Sequence, residues 1–228
     1  MVNNERIAIV KQKTSYLEKQ DIEAYLAKVS VIANRTRASI IVGPELSLSS
    51  PVNMLSLSHL EKKISDFSKC FKGRLILPGT GIVKDDENKS MYNIAPIIFR
   101  DGSVSYIHKN SSHVEDLIAE SNGLNYKRGD VEKEILFDKG KNGNFAVEIC
   151  RDHGIGKLKN ISKPNLKFQF VLANNLSGLF PEKVLVENGG IAVLAEGRKP
   201  EDSWAYFKRN RDLIPLKGSE TEDYILFN

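Results

Sequence analysis

Short apolar runs alternate with helical patterns in the first third of the chain. Residues 6–10 and 39–42 are continuous apolar runs, which are typical of strands buried on both faces. Between them, residues 21–35 repeat apolar side chains at helical spacing, and residues 57–71 do the same before a third apolar run at 74–77. This part of the sequence predicts strands of a buried sheet that are connected by amphipathic helices.

The rest of the pattern consists mainly of consecutive strands. Residues 93–99 and 104–108 flank Asp101-Gly102, which is a hairpin turn signal. Further strands are predicted at 134–137 and 144–149, which flank a turn rich in Gly, Lys and Asn, and at 168–173, 190–195 and 224–227. The sequence therefore predicts one α/β domain over residues 1–228, with about nine or ten strands and with helices that cover the sheets.

Composition and charge exclude several classes of function. The 228 residues are 41% hydrophobic and 27% charged, and the net charge of +4 comes from Lys and Arg scattered along the chain. Because no basic block interrupts this pattern, we expect no nucleic-acid partner. No apolar run is long enough to cross a membrane and no signal-peptide hydrophobic region begins the chain, so we expect a cytoplasmic protein without membrane association.

The chain contains two cysteines, Cys70 and Cys150, and neither belongs to a motif with zinc-ligand spacing. Two thiols in a chain of this length favour a reduced, intracellular protein. Cys70 borders the apolar face of the helix predicted at 57–71, which indicates a packing role. Cys150 ends an apolar strand and is followed at once by charged residues and a glycine-containing loop, which is where a substrate could approach a nucleophile.

Two other polar residues end predicted strands in the same way. Glu45 follows the run 39–44, and Lys109 follows the strand 104–108. Taken singly, each residue has a simpler explanation: a free cysteine is commonly buried, and a glutamate or lysine at a strand end is commonly solvated. A partly desolvated Glu45 would have a raised pKa and could act as a general base.

Taken together, this order of glutamate, lysine and cysteine resembles the nitrilase superfamily of carbon–nitrogen hydrolases. The matching segments are Val42-Gly43-Pro44-Glu45-Leu46, Tyr106-Ile107-His108-Lys109 and Ala146-Val147-Glu148-Ile149-Cys150-Arg151-Asp152. Glu120, followed by Gly129, resembles the second glutamate of the family, although this match is weaker. The similarity extends over nearly the whole chain.

The resemblance implies a four-layer αββα sandwich, a homodimer, and hydrolysis of a small amide-type substrate without a metal or organic cofactor. Cys150 would form a thioester, with Glu45 as the general base. Lys109 and the backbone N–H that follows Cys150 would stabilise the oxyanion. Glu120 would orient Lys109 or the attacking water.

The chain departs from the family pattern after the cysteine. Arg151 and His153 occupy positions where family members often carry an aromatic residue and then Phe-Pro, and the helix expected between 177 and 187 is cut to a few residues. Arg151 and His153 are therefore candidates for recognising a substrate carboxylate, since Arg offers a bidentate fork. Asn175 is a third substrate-binding candidate. The alternative for Arg151 is that it points to solvent or pairs with Asp152.

Two further functions remain open on the sequence alone. The shortened helix is compatible with a catalytically silent relative that serves as a binding module. The same cysteine chemistry could also transfer the acyl group to an amine or alcohol instead of water.

Overall fold

The computed structural model contains two sheets packed face to face and describes residues 5–129, 135–138, 143–160 and 166–228. The first sheet contains β1 (Ile7–Val10), β2 (Ile40–Val42), β3 (Leu55–Ser56), β4 (Leu75–Leu77), β5 (Gly81–Asp85), β6 (Ser90–Ile98), β7 (Val104–His108), β8 (Asn125–Tyr126), β15 (Gly218–Glu220) and β16 (Tyr224–Phe227). The second contains β9 (Ile135–Asp138), β10 (Gly143–Ile149), β11 (Leu166–Ala173), β12 (Val186–Glu196), β13 (Trp204–Arg209) and β14 (Asp212–Pro215). The helices are α1 (Ile22–Thr36), α2 (Leu57–Ser68), α3 (Val114–Ser121) and α4 (Arg151–Ile155).

Both sheets mix parallel and antiparallel pairs. In the first sheet, β1, β2 and β4 are parallel neighbours, β16 adds to β1 in the antiparallel direction, and β6 and β7 form an antiparallel hairpin. In the second sheet, β10, β11 and β12 are parallel, and β9 and β13 flank them in the antiparallel direction. Because parallel strands of a sheet end at the same edge, this order brings the residues that follow them together.

The largest core lies between the two sheets. It is built from alternate residues of each strand, such as Ile7 and Ile9 of β1 facing Val147 and Ile149 of β10. Residues between them, such as Ala8, face the outer side of the first sheet. The period of two that a strand imposes therefore decides which side chains lie between the sheets.

Helices α1 and α2 cover the outer face of the first sheet. Helix α1 begins at Asp21, whose carboxylate accepts hydrogen bonds from the N–H groups of Glu23 and Ala24. Its apolar stripe, which includes Val29 and Ile32, packs on the sheet. This helix is the one that the apolar spacing predicted.

The outer face of the second sheet carries a thinner layer. Its apolar side chains pack against Leu158 and Val184, which lie in or beside short 3-10 turns at Lys157–Asn160 and Pro181–Lys183. In the described residues between Ser177 and Glu187, this turn is the only helical element. The predicted shortening of this region is confirmed.

The predicted layered α/β fold is confirmed, as are the hairpin around Asp101-Gly102 and the pairing of the last strand with the sheet. Strands β9 and β10 pair as predicted, although Glu134 and the turn between the strands lie outside the described residues. The packing role of Cys70 was wrong: α2 ends at Ser68, so Cys70 lies beyond the helix and is exposed. No helix in the described part of the chain combines the length and apolar character needed to cross a membrane.

Candidate active site

Glu45 reaches the centre of the molecule because the chain leaves β2 in a confined path. A side chain at position 43 would collide with the hydroxyl of Tyr25 and with the carbonyl of Pro78, so glycine alone fits there. The N–H of Glu45 then donates to the carbonyl of Ala173 in the second sheet at 3.3 Å. The carboxylate is completely buried, and it sits where the two sheets meet.

Lys109 follows β7 and donates to Glu45. Its Nζ lies 2.8 Å from Glu45 Oε1, and the same oxygen accepts a hydrogen bond of 2.8 Å from Asn93 Nδ2 on the neighbouring strand β6. The sequence pattern predicts both members of this ion pair as site residues but indicates no role for Asn93. Asn93 fixes the carboxylate of Glu45 from a second direction.

The second carboxylate beside Lys109 belongs to Glu115, not to Glu120. Glu115 Oε1 accepts from Lys109 Nζ at 2.5 Å and from the hydroxyl of Tyr16 at 2.9 Å. Glu120 lies in the same helix, α3, but its side chain is exposed. Glu120 lies five positions after Glu115, which is about 1.4 helical turns, so the two cannot share a face. The prediction that Glu120 orients Lys109 or the attacking water is therefore wrong for Lys109, and the exposed Glu120 does not line the cavity.

The three buried charges set one another's protonation. Burial alone would lower the pKa of Lys109, but the carboxylates of Glu45 and Glu115 outweigh it and hold that pKa well above its usual range. Burial raises the pKa of Glu45, and the negative charge of Glu115 adds to the rise against the opposing effect of Lys109. For Glu115, burial is outweighed by Lys109, which lowers the pKa. Lys109 therefore stays protonated, Glu115 stays ionised, and Glu45 is the group able to exchange a proton.

Cys150 sits in a strained turn between β10 and α4. Its backbone has φ 47° and ψ −100°, a combination that non-glycine residues rarely adopt, and its N–H donates to the carbonyl of Leu172 at 2.9 Å. Leu46, directly after Glu45, is also in the left-handed region, with φ 64°. Backbone strain thus occurs beside both candidate catalytic groups.

The thiol of Cys150 is neutral at rest. Burial raises its pKa above the usual range, and the negative charge of Glu45 raises it further, against the opposing effect of Lys109. The thiol contacts the carbonyl of Asn174, with Sγ 3.7 Å from the oxygen. Glu45 Oε2 has no hydrogen-bond partner among the described residues. That oxygen is available to receive a proton.

A cavity of about 490 Å³ opens above these groups. Its lining includes Cys150, Lys109 and Glu115, together with Tyr16 from the loop after β1 and Phe180 from the segment before β12. A space of this size accommodates a small organic molecule. The partly buried thiol of Cys150 is therefore reachable from outside through a defined pocket.

Asp152 ties the two halves of the site together. It is buried, and its carboxylate accepts from the N–H of Asn110 at 2.9 Å and from the N–H of Ser111 at 2.6 Å. These two residues directly follow Lys109, whereas Asp152 lies two positions after Cys150. The carboxylate therefore holds the loop of the first sheet against the turn of the second. Because Asp152 points inward, the alternative in which it pairs with Arg151 is not realised.

The three substrate-binding candidates have different positions. Arg151 is exposed and lines the cavity. Asn175 also lines it, with a left-handed backbone (φ 82°), and its N–H donates to the buried carboxylate of Glu196 at 2.6 Å. His153 does not line the cavity: it is completely buried and hydrogen-bonded to Glu148, so its predicted contact with substrate was wrong.

The structure adds Arg198, which no sequence motif indicates as a site residue. Arg198 lies on the cavity lining, and its N–H donates to Glu196 Oε1 at 2.8 Å. Within the described part of the chain, the guanidinium groups of Arg151 and Arg198 have no ion-pair partner. No local pattern around Arg198 marks it, because its position depends on how β12 ends beside the cavity.

The solved structures that are similar to this chain include an amidase and members of the nitrilase superfamily. An amidase from Nesterenkonia sp. AN1 is 15% identical, with a TM-score of 0.68 over 99% of this chain and 93% of that one. Nit3 of Saccharomyces cerevisiae, a member of branch 10 of the nitrilase superfamily, is 19% identical, with a TM-score of 0.69 over 97% and 88%. XC1258 of Xanthomonas campestris, a CN-hydrolase superfamily protein, is 15% identical, with a TM-score of 0.65 over 97% and 89%.

Comparison of the sequence with family models and with curated proteins gives no match. The structural likeness, in contrast, extends over nearly the whole of both chains in each pair. The resemblance that the sequence motifs indicated is thus confirmed at the level of the fold: the chain has the fold of the nitrilase superfamily.

Proposed function

We propose that the protein hydrolyses a carbon–nitrogen bond of a small amide through a thioester on Cys150. The observation that carries this proposal is the buried pair of Glu45 and Lys109, 2.8 Å apart, beside a strained cysteine in a cavity. A base, an oxyanion donor and a nucleophile are the parts that covalent amide hydrolysis needs. The fold shared with amidases supports the same chemistry.

In the first half-reaction, Cys150 Sγ attacks the amide carbon while its proton passes to Glu45. Transfer during attack is required because the thiol is neutral at rest. Lys109 has three N–H donors, of which two are directed to Glu45 and Glu115, so the third is available for the oxyanion. The N–H of Arg151, which begins α4 and has no acceptor inside that helix, is the second donor. The C–N bond then breaks, and Glu45 returns the proton to the leaving amine.

In the second half-reaction, Glu45 removes a proton from water, and the resulting hydroxide attacks the thioester carbon. The tetrahedral intermediate uses the same two donors. Its collapse expels the Cys150 sulfur, which recovers its proton from Glu45, and releases the carboxylic acid. Glu45 thus carries a proton twice in each cycle, and this role suits a carboxyl group whose pKa is raised.

A trapping experiment tests the proposal. The Cys70→Ser variant serves as the background, because exposed Cys70 would otherwise also react with electrophiles. Incubation with a panel of small amides should release ammonia and leave an acyl adduct that peptide mapping assigns to Cys150. Cys150→Ala should do neither. If no amide in the panel gives ammonia or an adduct, the hydrolase proposal fails and a silent binding module becomes the better explanation.

The same experiment separates hydrolysis from acyl transfer. Hydroxylamine is added at low concentration as a competing nucleophile. If the acyl hydroxamate forms well beyond what its concentration relative to water explains, the protein is a transferase. A product that remains mainly the carboxylic acid supports hydrolysis.

The proposal extends to the substrate class. Arg151 and Arg198 line the cavity without an acidic partner in the described residues, whereas Lys109 is neutralised by two carboxylates. Two unpaired guanidinium groups favour an amide that also carries a carboxylate. Arg151→Ala and Arg198→Ala should each raise KM for such substrates about tenfold and leave KM for neutral amides unchanged. An equal effect on both classes would contradict this.

We also propose that the protein is a cytoplasmic homodimer, as the resemblance implies. Light scattering on the purified protein tests the dimer, because a mass of one chain at assay concentration would contradict it.

A further inference from the structure

A buried polar cluster lies on the outer face of the second sheet, behind the cavity wall. It consists of Glu148 on β10, Gln169 on β11 and His153 on α4, and all three are essentially inaccessible to solvent. Glu148 Oε2 accepts from Gln169 Nε2 at 2.7 Å and lies 2.7 Å from His153 Nδ1. A carboxylate in such a place is costly unless it is hydrogen-bonded, so the cluster requires an explanation.

The hydrogen bonds of His153 fix its tautomer. The N–H of Phe180 donates to His153 Nε2 at 3.2 Å, so Nε2 carries the lone pair. The proton therefore resides on Nδ1 and is donated to Glu148. The imidazole also stacks on the ring of Phe180, with centroids 5.8 Å apart and an interplanar angle of 26°. His153 thus holds both the main chain and the side chain of Phe180.

Phe180 is part of the wall of the cavity that Lys109 and Cys150 also line. It lies in the segment between β11 and β12, where the one helical element described is the 3-10 turn Pro181–Lys183. Gln169 anchors the other end of this segment, since its Oε1 accepts from the N–H of Leu185 at 2.7 Å. With so little regular structure of its own, the segment is held in part by the cluster. Lys183 adds a second support, since its ammonium group donates to the carbonyl of Gly154 and lies 4.2 Å from the centroid of the Phe180 ring.

We propose that His153 is a positioning residue that sets substrate affinity by holding Phe180 in the cavity wall. Glu148 orients the imidazole, the Nε2 lone pair fixes the Phe180 main chain, and the ring of Phe180 then limits what can occupy the space above Cys150. The inference rests on the proposed function, because it takes this cavity as the substrate site. It predicts an effect on KM with little effect on kcat, since the hydrogen bonds of the His153 side chain go to Glu148 and Phe180 and not to Glu45, Lys109 or Cys150.

Two substitutions of the same residue provide the matched test. The side-chain amide of Asn places a donor near the position of Nδ1, so His153→Asn keeps the bond to Glu148 and loses the acceptor for the Phe180 N–H. The longer Gln places an oxygen near Nε2, so His153→Gln keeps that acceptor. We expect KM to rise about tenfold in His153→Asn with kcat within about twofold of wild type, and His153→Gln to recover most of the loss.

A second readout does not require turnover. In the Cys70→Ser background, the rate of Cys150 alkylation by a bulky maleimide is divided by the rate with iodoacetamide. A displaced wall admits the larger reagent, so the ratio should rise in His153→Asn and in Phe180→Ala but not in His153→Gln. If wild type turns over no amide while this ratio shifts as stated, the proposed function fails and the positioning role stands.

Several outcomes would overturn the inference. A fall in kcat at constant KM in His153→Asn would assign the residue to the chemical step. Identical KM and alkylation ratios in His153→Asn and His153→Gln would show that the bond to Phe180 does not matter. If the His153 variants do not fold, Phe180→Ala decides, because it removes the ring from the same wall and keeps Glu148, Gln169, His153 and the hydrogen bonds that join them. An unchanged KM and ratio in that variant would remove the basis for the proposal.

Discussion

One ammonium group shared by two buried carboxylates determines the chemistry of individual residues in this site. Lys109 Nζ lies 2.8 Å from Glu45 and 2.5 Å from Glu115, yet the two glutamates respond in opposite directions. The pKa of Glu45 is raised and that of Glu115 is lowered. For Glu45, burial raises the pKa and the negative charge of Glu115 adds to the rise, whereas for Glu115 the effect of Lys109 outweighs burial and the Tyr16 hydroxyl, 2.9 Å away, adds a smaller contribution. Glu115 therefore holds the lysine, and Glu45 remains free to move a proton.

Replacing Glu115 should impair catalysis strongly, whereas replacing Glu120 should not. Glu115→Gln removes the charge that holds Lys109 in place, so we expect kcat to fall on the order of 10²-fold, comparable to the loss of an oxyanion donor. Glu120 lies on the exposed face of the same helix, so Glu120→Gln is the matched control. We expect its kcat to stay within about twofold of wild type. Steady-state kinetics on the two variants is the measurement. Equal losses of kcat in the two variants would contradict this assignment and would support a role for Glu120 in the site.

The raised pKa of Glu45 predicts the pH profile. The base must be ionised to act, so kcat/KM should fall as pH decreases through the raised pKa, and the acidic limb should lie above 4.5, the ordinary value for glutamate. Glu115 contributes to the rise through its negative charge. In Glu115→Gln the acidic limb of the residual activity should therefore move to lower pH. An acidic limb at or below the ordinary value, or a shift to higher pH in the variant, would contradict this assignment.

Among the elements, the turn after β10 and the loop after β7 are joined by Asp152. Its carboxylate accepts hydrogen bonds from the N–H groups of Asn110 and Ser111. These two residues follow a strand of the first sheet, whereas Asp152 follows a strand of the second. This contact fixes the distance between the nucleophile and Lys109. Asp152 takes no part in the proposed reaction, but it sets the positions of the groups that do.

Asp152→Ala should reduce both stability and turnover. Two buried N–H groups lose their acceptor, so we expect the free energy of unfolding to fall by about 2–4 kcal/mol. The released loop should also lower kcat, because Lys109 is no longer held beside the thiol. Urea denaturation and steady-state kinetics measure the two effects. Asp152→Asn keeps one acceptor oxygen, so its stability and kcat should lie between those of Asp152→Ala and wild type. Normal stability in Asp152→Ala would contradict the inferred contact.

The sequence pattern identified the elements that carry Glu45, Lys109 and Cys150, because each residue ends an apolar strand and strand ends can be located from sequence. Glu115 was missed for a physical reason. It shares a helix face with Ala119, which is buried, but Val114 and Leu117 are exposed apolar residues of the same helix. The sequence of this helix therefore offers two possible apolar faces, one that contains Ala119 and one that contains Val114 and Leu117. Which face is buried depends on tertiary packing.

At the scale of the whole molecule, the two sheets and their strand order explain which parts of the fold can be predicted from the sequence and which cannot. The layers follow from apolar runs and helical spacing. Strands β14 and β15 were missed because their side chains are largely exposed, and β13 was missed because most of its side chains are only partly buried, so alternation gives a weak signal in all three. Arg198 and Tyr16 reach the cavity from loops, and local sequence carries no information about which loops meet.

The last strand should contribute strongly to global stability. Phe227 of β16 is buried between the sheets and packs edge-on against Trp204, with ring centroids 6.0 Å apart. Phe227→Ala should lower the free energy of unfolding by about 3–5 kcal/mol, the usual loss for a core phenylalanine. Leu17→Ala is the control, because Leu17 is 86% exposed and the change should stay within about 0.5 kcal/mol. Urea denaturation that shows similar values for both would contradict the burial of Phe227.

The candidate catalytic groups are divided between the two sheets, and this division has a consequence for folding. Glu45 and Lys109 follow strands of the first sheet, whereas Cys150 follows a strand of the second. A partly folded chain with either sheet intact but undocked would keep much of its secondary structure and have no assembled nucleophile. Under the proposed function, turnover would report docking of the sheets, and we expect the chain to be inactive during synthesis until the second sheet has closed onto the first.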